Sequence, residues 1–413
     1  MLKMRILYVV PNVPSLIRTR PFNFIRRLSE SHQVSVVCLA TNESDYQFAS
    51  ELQPYCQSLE VIRLPRWKSV WNCLTALFSS KSLRCAYFYS QSLRDRVKAK
   101  IDSREIDLVH AEHLKTVPMV EDAIGKVPAV FDAVDSVSMF ESRRRGLIRN
   151  PLAKLFSWVE WRRMTLCESN ASQLFSRIVI SSAIDKEHYP TPGPTRARIR
   201  VIPNAVDLVH FGFQQFECQS NLIVFCGKLD YYPNADAALY FSRAVWPLLR
   251  ARRPELQFAI IGSRPPRSVR RLHGKNNIRI VPSVSDVRPH LGRASLALCP
   301  IRLRAGTQFK VLEAMALGVP VVATRLCIPG LALKPGKHLL VADTPHEFVS
   351  AVELLLDNQA LRTKLITAGR KFVEMHHDWA DSVASLCDVY EEAVMDFSRS
   401  GEVLPASCLP NAN

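Results

Sequence analysis

The residues best placed to do chemistry gather around one carboxylate. Glu313 lies in RAGTQFKVLEAMALGVPVVAT (304–324), where Phe309, Val311, Leu312, Met315, Ala316 and Leu317 leave a short helix without a large solvated face. A carboxylate there is costly unless it meets hydrogen-bond donors. The vicinal hydroxyls of a ribose would supply two; a local cation such as Lys310 would serve instead. Thr307 is expected to cap this helix, which starts near Gln308, and Gly318 with Pro320 to end it. Gly306 would let a phosphate or sugar approach the backbone at the helix start, where the dipole favours negative charge.

A second group of polar residues follows the apolar run LIVFCG (222–227). That run ends at Gly227 and Lys228, then LDYYPNADAAL begins. Pro233-Asn234 reads as a helix start, with Asn234 as the cap and free amides in the first turn. A cation such as Lys228 beside that terminus suits a diphosphate.

In the first half of the chain the polar residues are less telling. Arg18, Thr19 and Arg20 stand where the first strand opens into its helix, so they either touch an anionic acceptor or lie in a solvated loop. The same stretch, PNVPSLIRTRPFNFIRRLSE, has no glycine, which argues against a G-x-G-x-x-G dinucleotide turn and an NAD-dependent enzyme. In VHAEH, His113 or Glu112 could orient an acceptor, with packing in the interior as the alternative for His110 and His113. Asp135 in FDAVDSVS is the stronger acceptor-side candidate, and a cap on SVSMFESRR is its plainer role.

Short apolar runs alternating with amphipathic segments must position these groups. Twelve runs read as strands buried on both faces, at 4–10, 33–40, 59–64, 107–111, 128–134, 177–182, 222–227, 256–262, 277–281, 296–300, 319–323 and 338–342. A helix over 234–253 is expected to kink at Pro247. The proline-rich PTPGPTRARIR (190–200) marks the join between two doubly wound α/β domains, 1–200 and 201–375. A final helix (379–396, within a segment 376–397) is expected to pack back on the first domain, and 398–413 to be a disordered tail. With 413 residues, two domains of about 200 each are the default.

Composition narrows the partners. Lys and Arg exceed Asp and Glu by 16, which favours an anionic partner. No zinc-finger, RNA-recognition or basic-zipper pattern accompanies the excess, so nucleic acid is set aside. RRRGLIRNPLAKLFSWVEWRR (143–163) and RWKSVWNCLTALFSSK (66–81) mix cations with tryptophan and leucine, which suits an anionic membrane surface or helices covering the first sheet. Eleven cysteines without C-x-x-C or zinc-type spacing point to free thiols, a reducing cytoplasmic compartment and no metal site.

RAGTQFKVLEAMALGVPVVAT, with PNAVD upstream and LLVADTPHEFVSAV downstream, resembles the nucleotide-binding half of GT-B glycosyltransferases of family 4. The first half, including PSLIRTRPFNFIRRLSESHQVSVVCLA, resembles a bacterial exopolysaccharide-type branch. The resemblance implies two facing Rossmann-like domains with a central cleft, a nucleoside-diphosphate sugar (UDP- or GDP-linked) as donor substrate, retention of anomeric configuration, and no required metal or other cofactor. It implies that Glu313 binds the ribose and that Lys228 meets the diphosphate. It also implies that Gly306 and Thr307 face phosphate and donor sugar, with Lys310 near the phosphates. The acceptor expected is a glycan or a polyprenyl-linked glycan, and segments 143–163 and 66–81 would suit a cytoplasmic enzyme peripheral at the inner membrane face. The chain departs from the family pattern in several places. Ala305 stands where a second glutamate is common, eight positions before Glu313, and Pro233 where a second cation follows Lys228 by five. Ala205 and Ser283 replace frequent glycines, and Asp132 and Asp135 lie where many relatives carry a histidine. A catalytically weak homologue acting as an assembly partner, and a nucleotide-sugar epimerase, are the alternative readings.

Overall fold

The computed structural model describes residues 3–146, 148, 150–214, 216–284, 286–303 and 307–400. The chain divides into two compact units. One is built from residues up to Ile202 together with those from Ser382 onward; the other is Pro203–Asp381.

The first unit carries β1 (Arg5–Val10), β2 (Gln33–Ala40), β3 (Ser58–Arg63), β4 (Leu108–Glu112), β5 (Ala129–Val134), β6 (Arg177–Ile180) and β7 (Ile199–Val201). They form one sheet in the order β3-β2-β1-β4-β5-β6-β7, and every pairing is parallel. The second unit carries β8 (Gln219–Cys226), β9 (Gln257–Ile261), β10 (Ile278–Val281), β11 (Ala294–Cys299), β12 (Val321–Ala323) and β13 (Leu340–Val341). Its sheet is also parallel, ordered β10-β9-β8-β11-β12-β13. Near-continuous apolarity produces this arrangement: β2 is buried at every position but its first and β11 throughout, as strands covered by helices on both faces require.

Each sheet reverses its direction of growth once, between β1 and β4 and between β8 and β11. Ligands of doubly wound sheets bind at the carboxyl ends of the strands flanking such a reversal. Both sets of candidate residues lie at these two places.

Several expectations need correction. The segment 190–200 is not all linker, because Ile199 begins β7, which pairs with β6. The strand escapes a reading based on apolar runs because only Ile199 of its three residues is buried. The 234–253 helix is built as Tyr232–Tyr240, a wider π-type turn over Phe241–Val245, and Trp246–Arg252. The widened turn precedes Pro247, which lacks an N–H and clashes one turn back.

The last helix, Trp379–Ser400, runs past the expected end, so 398–400 are helical; 401–413 lie outside the described residues. From Ser382 on, its residues belong to the first unit. Glu392 pairs with Arg177 at 3.0 Å, Asp396 with Arg177 at 2.6 Å, and the Tyr390 hydroxyl meets His110 Nδ1 at 2.8 Å.

Candidate active site

The Phe309–Leu317 helix follows β11 and is buried along most of its length. Gly318 ends it at φ +78°, donating to the Met315 carbonyl, while Val319 donates to Ala314. A β-carbon at Gly318 would also come within 2.8 Å of Phe213, so glycine is required here for both conformation and space.

Glu313 projects from this helix, half-buried, and makes no hydrogen bond or ion pair among the described residues. Burial pushes its carboxyl up to about 7, against a smaller opposing pull from Lys310. Its charge also helps burial raise the Cys226 thiol at the end of β8. Glu313 therefore reaches the β8–β11 switch point with its acceptor capacity unspent. Lys310, the local alternative partner, is occupied elsewhere: its ammonium donates to Asn234 Oδ1 at 2.8 Å and to Gln308 Oε1 at 3.4 Å.

Asn234 links the two halves of the site. It lies inside the first turn of the Tyr232–Tyr240 helix, so it is not the cap; that position is Tyr231. Its side chain turns back instead. Nδ2 donates to the Lys228 carbonyl at 2.9 Å while Oδ1 accepts from Lys310. Gly227 makes room, since a β-carbon there would stand 2.9 Å from the Asn234 amide. Lys228, Asn234, Lys310 and Gln308 thus form one chain of contacts at the carboxyl edge of the sheet.

Thr307 does not cap the helix either. Gln308 holds the cap position without a side-chain cap bond, and the buried Thr307 hydroxyl has no partner among the described residues. Gly306 and Ala305 lie outside the described residues. The Lys228 ammonium is exposed, 3.8 Å from Asp230. One residue that sequence reasoning missed joins it: Arg264, past the end of β9, lies 3.7 Å from the same carboxylate. The apolar run before GSRPPR was the available signal, since it places Arg264 at the same edge of the sheet. The Lys228 side chain is about half exposed and that of Arg264 more than half, so both ion pairs add little stability and leave the cations available to a ligand.

The first unit handles its charges differently. Arg20 is not a solvated contact for an acceptor: it is buried and donates to Asp132 at 2.8 Å and to the Ile202 carbonyl at 3.1 Å. Arg18 donates to the Val13 carbonyl at 2.7 Å and to Asp45 at 3.1 Å. The Tyr8 hydroxyl donates to Glu112 at 2.9 Å, and burial beside the Asp132 charge pushes the Glu112 carboxyl up. His110 stacks on Tyr8 with ring centroids 4.0 Å apart; burial drives it well below the usual imidazole range, so it is a neutral core histidine. His113 takes φ +69° and accepts from the Lys115 amide at 3.4 Å. Asp135 follows β5, partly exposed, and accepts from the Ser181 hydroxyl at 2.8 Å. A cap-like bond to the next helix comes from Ser136, whose hydroxyl accepts from the Met139 amide at 3.3 Å.

Residues 220–358 match the family model described as glycosyl transferases group 1. A glycosyltransferase 1 domain-containing protein 1 of Xenopus tropicalis is 27% identical over 119 residues, 29% of this chain and 33% of that protein. A phosphatidyl-myo-inositol mannosyltransferase of Propionibacterium freudenreichii is 29% identical over 167 residues, 37% of this chain and 40% of that protein. The matches thus span between a third and under half of these curated relatives. Among solved structures, Anabaena HepE in complex with UDP-glucose superposes with a TM-score of 0.67 at 12% identity, covering 94% of this chain and all of that one.

Proposed function

We propose that this chain, which has the GT-B fold and matches the group 1 glycosyltransferase model over residues 220–358, moves a sugar from a nucleoside-diphosphate sugar to a hydroxyl acceptor. The observation that carries this reading is the unspent Glu313 carboxylate at the β8–β11 switch point. Two ribose hydroxyls donating to it would satisfy a group that the protein leaves unpaired among its described residues. HepE, with UDP-glucose bound on the same fold, supports a donor of that class.

The chemistry follows from charge. As the anomeric bond breaks, negative charge grows on the leaving diphosphate. Lys228, Arg264 and the Thr307 hydroxyl are the groups that would receive it. Lys310, held by Asn234 and Gln308, adds a fixed positive charge behind them. The acceptor hydroxyl attacks the anomeric carbon on the face the diphosphate leaves, and the diphosphate oxygen takes the acceptor proton. Configuration is retained without an enzymic nucleophile or a metal. Asp135 is assigned to the acceptor side, where its carboxylate would orient the incoming hydroxyl.

The acceptor proposed is a glycan or polyprenyl-linked glycan in cell-surface polysaccharide synthesis. The free state of the described cysteines supports a cytoplasmic setting. A purified sample screened against UDP-, GDP- and ADP-sugars tests the reading. One nucleotide class should raise the melting temperature and release its diphosphate with acceptor present. No stabilisation by any of them would overturn it. Binding without turnover would favour the catalytically weak homologue, the reading to which Ala305 lends weight.

A further inference from the structure

The first unit carries an apolar face left exposed by the described residues. Along the Arg66–Ala76 helix and the turn after it, Trp67, Val70, Trp71, Leu74, Leu77 and Phe78 recur at spacings of three and four, which sets them on one side. All six are exposed, Phe78 by 96%, Trp67 by 72% and Trp71 by 64%. The opposite side of the same helix is the buried one, marked by Ser69 and Ala76. The Pro151–Leu174 helix repeats the pattern: Leu152, Leu155, Phe156 and Trp158 are exposed, while Ser157, Glu160 and Met164 face inward.

Both faces are held in place by polar contacts. Glu160 accepts from the Ser82 hydroxyl at 2.8 Å and from the Leu83 and Arg84 amides at 3.1 and 3.2 Å. Arg163 donates to the Leu77 carbonyl at 3.0 Å. The surface is therefore a built feature rather than a few scattered apolar residues.

Its charge is one-sided. Residues 66–81 contain Arg66, Lys68 and Lys81 and no acid, and residues 150–163 contain Lys154, Arg162 and Arg163 with the buried Glu160 as their one acid. Arg162 lies over the Trp158 ring at 5.2 Å and Arg145 over Trp161 at 4.9 Å, so cations are layered on the aromatic rings. No helix among the described residues is long and apolar enough to cross a bilayer. Exposed tryptophan and phenylalanine rimmed by cations, on helices lying along the surface, fit the interface of a bilayer with negative headgroups.

We propose that this face docks the protein onto an anionic lipid surface. The cations draw it to the headgroups and the Trp71–Phe78 edge enters the acyl boundary. The inference rests on the first unit alone and is independent of the donor site.

The test is co-sedimentation of the full chain with phosphatidylcholine vesicles, with and without phosphatidylglycerol. Binding should require the anionic lipid and weaken as salt rises, and tryptophan emission should shift to the blue. The double variant Trp71→Ser, Phe78→Ser should bind about tenfold more weakly at unchanged melting temperature. Lys68→Glu with Lys154→Glu should abolish the dependence on phosphatidylglycerol. Three results would overturn the proposal: no association with anionic vesicles, equal association with neutral ones, or a lipid-free dimer abolished by the same Trp71 and Phe78 substitutions.

Discussion

At the carboxyl ends of β1, β4 and β5, the charged side chains are met from within: Arg20 by Asp132, Glu112 by Tyr8, and His110 on one nitrogen by Tyr390. At the ends of β8 and β11 the pattern is inverted. Glu313 and the Thr307 hydroxyl have no partner among the described residues, and Lys228 and Arg264 keep about half or more of their exposure. Both edges flank a reversal of strand order, so topology alone marks both as ligand sites. Polar satisfaction separates them. A sheet edge whose buried charges are spent on each other is holding the fold, with the partly exposed Asp135 at its rim as the group proposed for the acceptor; one that leaves acceptors and cations unspent holds them for a ligand.

The largest effect should come from breaking the closed edge. Asp132→Asn leaves the Arg20 guanidinium buried without its counter-charge, and denaturant unfolding should show a loss of about 3–5 kcal/mol. A loss under about 1 kcal/mol would mean that this pair does not hold the first unit together.

At the open edge, Asn234→Ala removes the acceptor of Lys310 and the donor to the Lys228 carbonyl together, and should cost about 1–3 kcal/mol in unfolding. It should weaken nucleotide-sugar binding as well, because Lys228 and Lys310 lose their common anchor. An effect on stability without one on binding would sharpen the assignment of Asn234 to structure alone.

Thr307→Val is the smallest change and the most discriminating. No described residue bonds the hydroxyl, so stability should move by no more than about 0.5 kcal/mol. Nucleotide-sugar affinity, read by calorimetry, should fall by about 0.5–1.5 kcal/mol. If stability falls and affinity does not, the hydroxyl is part of the fold.

Much of this was legible in the chain itself. The strands announced themselves through apolar runs, and Glu313 through its placement in one of the greasiest helices of the sequence. What escaped was whatever depends on a distant partner. Arg20 looks like a loop cation until Asp132, 112 residues later, is brought beside it. Asn234 follows a proline and so mimics a cap; its actual bonds depend on the path from Gly227 to Lys228 and on a lysine 76 residues away. Arg264 stood among other arginines, with nothing local to distinguish it until Asp230 and Lys228 came alongside. β7 has too few buried residues to register as a run. Local pattern gives element type, but polar pairing between elements appears only once register and crossover are set.

The measurement closest to the central claim is calorimetric titration of a nucleotide sugar into the native protein and into Glu313→Gln across neutral pH. A nucleotide sugar has no terminal phosphate to titrate, and the neighbouring Cys226 thiol is pushed up and stays neutral. Only the ionised Glu313 accepts from both ribose hydroxyls through charge-assisted bonds, and burial pushes its carboxyl up to about 7. Native affinity should therefore rise with pH up to about 7 and then level off, by at most about tenfold per pH unit below that point. The Gln variant should bind at least about tenfold more weakly above pH 7, without that slope. Equal affinity and an identical pH profile in the two proteins would contradict the account.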